Sequence, residues 1–114
     1  MAIYSNLNID QGSTFDIKVD ITDADDAILN LTNYNVAGQI RKNFSSSTAV
    51  AFTATVYNAS AGTIKLLLDA STTNAMKAGR YVYDVEMSFV DSDSNTIIER
   101  ILEGRIVVTP SVTR

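Results

Sequence analysis

A chain of 114 residues has the length of one domain and can bury enough surface for a core without covalent staples. With no cysteine and no histidine it lacks disulfides, thiol nucleophiles, serine or cysteine triads and the usual zinc ligands. Nine basic residues scattered among thirteen acidic ones, a net charge of −4, argue against a nucleic-acid partner, and no apolar run approaches the ~20 residues of a membrane-spanning helix.

The opening "MAIYSNLNID" has neither a basic nor a continuous apolar region, so the expectation is a protein made in, and soluble in, a cytoplasm, without a membrane partner. "AIYSNLNI" reads as an edge strand. "TFDIKVDI" places Phe15, Ile17, Val19 and Ile21 on one face, with Asp16, Lys18 and Asp20 on the other. "DADDA" is a polar loop. "YNVAGQI" repeats the period of two with Tyr34, Val36 and Ile40, and Gly38 marks a bulge or a close contact. "FSSST" is a second polar loop.

"VAFTATV" aligns Val50, Phe52, Ala54 and Val56, and "IKLLL" aligns Ile64, Leu66 and Leu68. "NASAG" between them is a hairpin connection with Gly62 where positive φ is needed. "DASTTNAMKAG" differs: Asp69 and Ser71 are cap candidates, Ala75, Met76 and Lys77 favour helix, and Gly79 stops it. One short helix should cross between sheets there. Then "GRYVYDVEMSFV" puts Tyr81, Tyr83, Val85, Met87 and Phe89 on a dry face. The pattern as a whole predicts an all-β antiparallel sandwich of about seven strands with one short helix, a single domain over 1–114.

With a loop at "DSDSNT", Val90 pairs with Ile97, Val85 with Leu102 and Tyr81 with Ile106. Tyr83 then lies over Gly104, an aromatic covering a strand glycine. Arg100 falls opposite Met87 as an exception on the dry face and must reach a carboxylate or the rim. The other face gathers Val82, Ile97, Ile101 and Val107 among charges, more branched apolar residues than an exposed face carries. Those four form the candidate partner interface, the alternative being cover by a neighbouring loop or the N-terminal strand.

Catalytic, metal and cofactor sites are not expected. "DSDSN" (Asp91, Asp93, Asn95) begins like a calcium loop but has Thr96 where glycine is required and Leu102 where a bidentate glutamate is required. Asp23, Asp25 and Asp26 show less pattern still. Asp84, Glu86, Glu99 and Glu103 would sit on a flat sheet face rather than in the cleft that glycosidase carboxylates need. "NLT", "NFS" and "NAS", at Asn30, Asn43 and Asn58, match a glycosylation pattern that is idle without a secretion signal.

"NLTNYNVAGQIRK", "AGRYVYDVEM" and "LEGRIVVTPSVTR", in that order and preceded by "IDQGSTF", resemble a family of small structural proteins of tailed bacteriophages, including those of cyanobacteria. Asn33 stands where that pattern has a turn glycine, a replacement that asparagine's tolerance of positive φ allows. The resemblance implies an immunoglobulin-like sandwich in a virion, as a tail, baseplate or neck subunit assembled in the host cytoplasm. It implies contacts with other virion proteins and with copies of itself. A capsid decoration protein is one alternative. A module for host-surface carbohydrate, using Tyr4 and Tyr57 in place of the absent tryptophan, is another.

Overall fold

The computed structural model describes residues 3–22 and 27–112. It is an all-β sandwich in which, among the described residues, nine strands and one helix follow in chain order. These are β1 (Ile3–Tyr4), β2 (Leu7–Asp10), β3 (Phe15–Asp20), β4 (Asn35–Arg41), β5 (Val50–Ala51), β6 (Thr53–Asn58), β7 (Thr63–Leu68), α1 (Ala70–Ala75), β8 (Gly79–Val90) and β9 (Thr96–Thr109). One sheet runs β1-β9-β8-β4-β5, with β2 also on β9; the other runs β3-β7-β6. This division of strands is that of an immunoglobulin-like sandwich. Seven strands have four residues or more, the number expected, and β1 and β5 add two-residue pieces.

Alternation is the cause of the core. Ile64, Leu66 and Leu68 of one sheet meet Tyr83, Val85, Met87, Ile106 and Val108 of the other, all buried. The stretch expected as one strand, "VAFTATV", is divided instead: the chain leaves the larger sheet at Phe52 and enters the smaller one. The Phe52 amide bonds the Gly38 carbonyl at 3.0 Å at that crossing. Gly38 is a close contact and not a bulge, since a Cβ there would lie 3.0 Å from the Phe52 ring and from a Val85 methyl.

Two corrections concern pairing. The sandwich is antiparallel except at its N terminus, where β1 and β2 run parallel to β9, Ile3 opposite Leu102 and Leu7 opposite Ile106. A parallel partner is possible here because the chain next enters the other sheet and no hairpin has to join β2 to β9. The second correction is a bulge in the β8–β9 hairpin: Val85 faces Leu102 as expected, but Glu86 faces Arg100. Ile101 is the extra residue. A regular ladder would have aimed Arg100 at the core beside Met87 and Ile101 at water. Burying an unpaired guanidinium costs far more than a bulge, so the strand slips by one.

Turns are set by short polar side chains. Asp69 caps α1 by accepting the Thr72 amide at 2.8 Å and the Ser71 hydroxyl at 3.0 Å, and its carboxyl is held below the usual range by the Thr72 side chain, the Thr72 amide and Ser71. Buried Thr73 of α1 donates to the Ser13 carbonyl at 2.8 Å and accepts the Gly12 amide at 3.1 Å, tying the helix to the β2–β3 turn. Tyr81 donates to the Lys77 carbonyl at 2.6 Å, the tyrosine-corner bond of such sandwiches. Asn33 takes φ +68°, in the left-handed region that asparagine tolerates.

Candidate functional site

The bulge redistributes the four residues of the candidate interface. Ile101 is only 3% exposed and belongs to the core, so it is not a contact residue for another subunit. Ile97 is also turned inward, opposite Phe89, and is half-buried. Val82 and Val107 do lie on the outward face, half-buried and exposed respectively, but at β8–β9 positions flanked by charges. The residues that take the outward places of Ile97 and Ile101 are Ile98, opposite Ser88, and Arg100, opposite Glu86. Ile98 is 62% exposed and Val90, on the same face near the hairpin tip, 66%. Counting an unbulged ladder could not have found them.

Arg100 therefore reaches carboxylates, but from the wet side. Asp84 and Glu103 face each other across β8 and β9, an unfavourable pairing of like charges. The Arg100 Nε lies 3.4 Å from Asp84 Oδ2, and its Nη1 3.9 Å from Glu103 Oε1. Glu86 shares this face, whereas Glu99 falls opposite Met87 on the other. The four carboxylates are thus not one cluster.

Around that ion pair the outward face forms a trough of about 520 Å³. Its floor comes from Gln39 and Arg41 of β4, Val82, Asp84 and Glu86 of β8, and Arg100, Glu103 and Arg105 of β9. Arg41 is held in place by Gln39 Oε1 at 3.0 Å and the Ser46 carbonyl at 2.7 Å. Tyr4 on β1 and Phe44 just beyond β4 line it from opposite sides of the floor strands. Phe44 is 89% exposed and Tyr4 62%. Sequence reading missed Phe44; a lone aromatic inside the polar run "NFSSST" was its signal. Tyr57 does not join Tyr4: it lies on β6 of the other sheet, with Lys18 Nζ 4.7 Å over its ring.

The remaining motifs are turn-formers. Asp91 accepts the amides of Asp93 and Asn95 at 2.9 Å each, closing the β8–β9 loop. Asn30, Asn43 and Asn58 each accept the hydroxyl two residues on, from Thr32 at 2.6 Å, Ser45 at 2.9 Å and Ser60 at 3.1 Å. The Asn-x-Ser/Thr pattern thus serves local turns. Asp23, Asp25 and Asp26 lie outside the described residues.

The fold and this face define a small immunoglobulin-like β-sandwich with an open, charged trough on its larger sheet. No family model matches the chain, and no curated protein does. Among solved structures it is similar to an internalin-like protein of Listeria monocytogenes, at 21% identity and a TM-score of 0.39, over 96% of this chain and 28% of that one. It is also similar to AggA, the major subunit of aggregative adherence fimbriae type I of Escherichia coli, at 11% identity and a TM-score of 0.42, over 91% and 89%.

Proposed function

We propose that the protein is a non-enzymatic structural component of a tailed-phage virion, a tail, baseplate or neck subunit that works through protein–protein contacts. The segments that resemble small phage structural proteins support the virion. The observation that carries the contact role is the pair Val90 and Ile98, two large aliphatic side chains exposed on one face at the free end of the longest hairpin. The last β8 residue paired to β4 is Ser88, so the tip reaches past its neighbouring strand. Desolvating such a pair against a partner is worth about 1.5–3 kcal/mol per side chain when burial is complete. Symmetric repetition on a particle multiplies so small a contact.

Mass spectrometry of purified virions tests the reading: the protein should be present in stoichiometric amount. A particle that lacks it refutes the virion role. Capsid decoration is separated from a tail or neck position by dissociating heads from tails and asking which fraction retains the protein.

A further inference from the structure

We propose that the trough between Tyr4 and Phe44 is a binding site for a neutral oligosaccharide, a reading that does not depend on the virion role. Its volume, about 520 Å³, falls within the ~300–1,000 Å³ of small-molecule sites. Among the described residues neither rim aromatic stacks on another ring or beneath a cation. Tyr34, Tyr57, Tyr81 and Tyr83, by contrast, each have a ring or cation partner. Two free aromatic faces, one at each side of a polar floor, suit the apolar faces of sugar rings.

The floor decides against a protein partner at this place. Three carboxylates line it among three arginines, and Asp and Glu are depleted in protein interfaces because each carboxylate must be stripped of water. Sugar hydroxyls both donate and accept, so they can replace that water at a guanidinium and a carboxylate together. Arg41 is hydrogen-bonded by Gln39 and Ser46, so its planar group is oriented before a ligand arrives, and Arg100 lies within ion-pair reach of Asp84 and Glu103. The charges of the lining sum to zero, three positive and three negative, which favours a neutral saccharide over an acidic one.

The test is a titration of the isotopically labelled full chain, followed by amide chemical shifts, with maltotriose, cellotriose and chitotriose as neutral probes and sialyllactose as the acidic one. At least one neutral trisaccharide should give saturable shifts centred on Gln39, Arg41 and Asp84. Phe44→Ala and Tyr4→Ala, both at exposed positions, should each weaken it by about tenfold while leaving the remaining spectrum intact. Ile98→Glu, outside the trough, should not change it. Silence from all neutral probes at tens of millimolar overturns the proposal. So do shifts centred elsewhere, unchanged affinity in both aromatic variants, or tighter binding of sialyllactose.

Discussion

The hydroxyl of Tyr83 donates a 2.6 Å hydrogen bond to the carbonyl of Ser5, 78 positions earlier in the chain. Its partner on β9 is Gly104, and Ser5 follows β1 on the far side of β9. This one side chain therefore joins β8 to the N-terminal strand across β9. Tyr83→Phe keeps the ring and leaves the Ser5 carbonyl without that donor, so at pH 7 it should lower the unfolding free energy by about 1 kcal/mol.

Burial pushes the Tyr83 hydroxyl up to about 12 from 10.0. A raised tyrosine value means that the folded state holds the proton more tightly than the unfolded one. Its contribution is complete below pH 10 and is lost as pH rises from 10 through 12. Denaturant melts of the two proteins over that window should therefore show the advantage of Tyr83 over Phe shrinking with pH. An advantage that stays constant to pH 12 contradicts the assignment.

Gly104 is required for a different reason. A Cβ at this position would collide with the Ser5 carbonyl oxygen, which occupies the space of the missing side chain. Gly104→Ala must push the N-terminal strand away, breaking the Ser5 amide bond to the Glu103 carbonyl (2.8 Å) and the Arg105 amide bond to Asn6 Oδ1 (3.1 Å). The loss should reach at least about 2 kcal/mol. Amide exchange should rise first at Ser5 and Arg105, before the β3-β7-β6 sheet opens.

Thr73 anchors the helix by a hydroxyl alone. Thr73→Val keeps its shape but leaves the Gly12 amide and the Ser13 carbonyl without that partner, and should cost about 1–3 kcal/mol. Thr73→Ser should retain most of the stability in the same thermal melt, because both bonds survive.

Much of this architecture was legible because burial and period two coincide. Every residue assigned to the inner face of β7 is buried, and the pairing of Tyr83 with Gly104 followed from counting. Where counting failed, two neighbours competed for one place. In "ERILEG" a regular strand must turn either Arg100 or Ile101 the wrong way, and alternation alone does not announce that the backbone will absorb the conflict. The trough was illegible for another reason. Its aromatics, Tyr4 and Phe44, come from segments far apart in the chain and border one trough only because β1 and β4 flank β9 and β8.

Ile98 and Ile101 are chemically identical side chains three positions apart, and the bulge assigns them opposite fates. Ile101→Glu places a carboxylate in the core beside Leu102 and should cost well over 3 kcal/mol, a large share of the ~5–15 kcal/mol that holds an ordinary domain together. Ile98→Glu lies at an exposed site and should change stability by about 0.5 kcal/mol or less. Circular-dichroism melts separate the two at once. If the virion reading holds, Ile98→Glu should fold and yet fail to enter particles, because a charge now occupies the contact face at the hairpin tip. A regular, unbulged hairpin would reverse the order of the two melts, so the same pair of variants tests the register and, in the particle, the surface that the register creates.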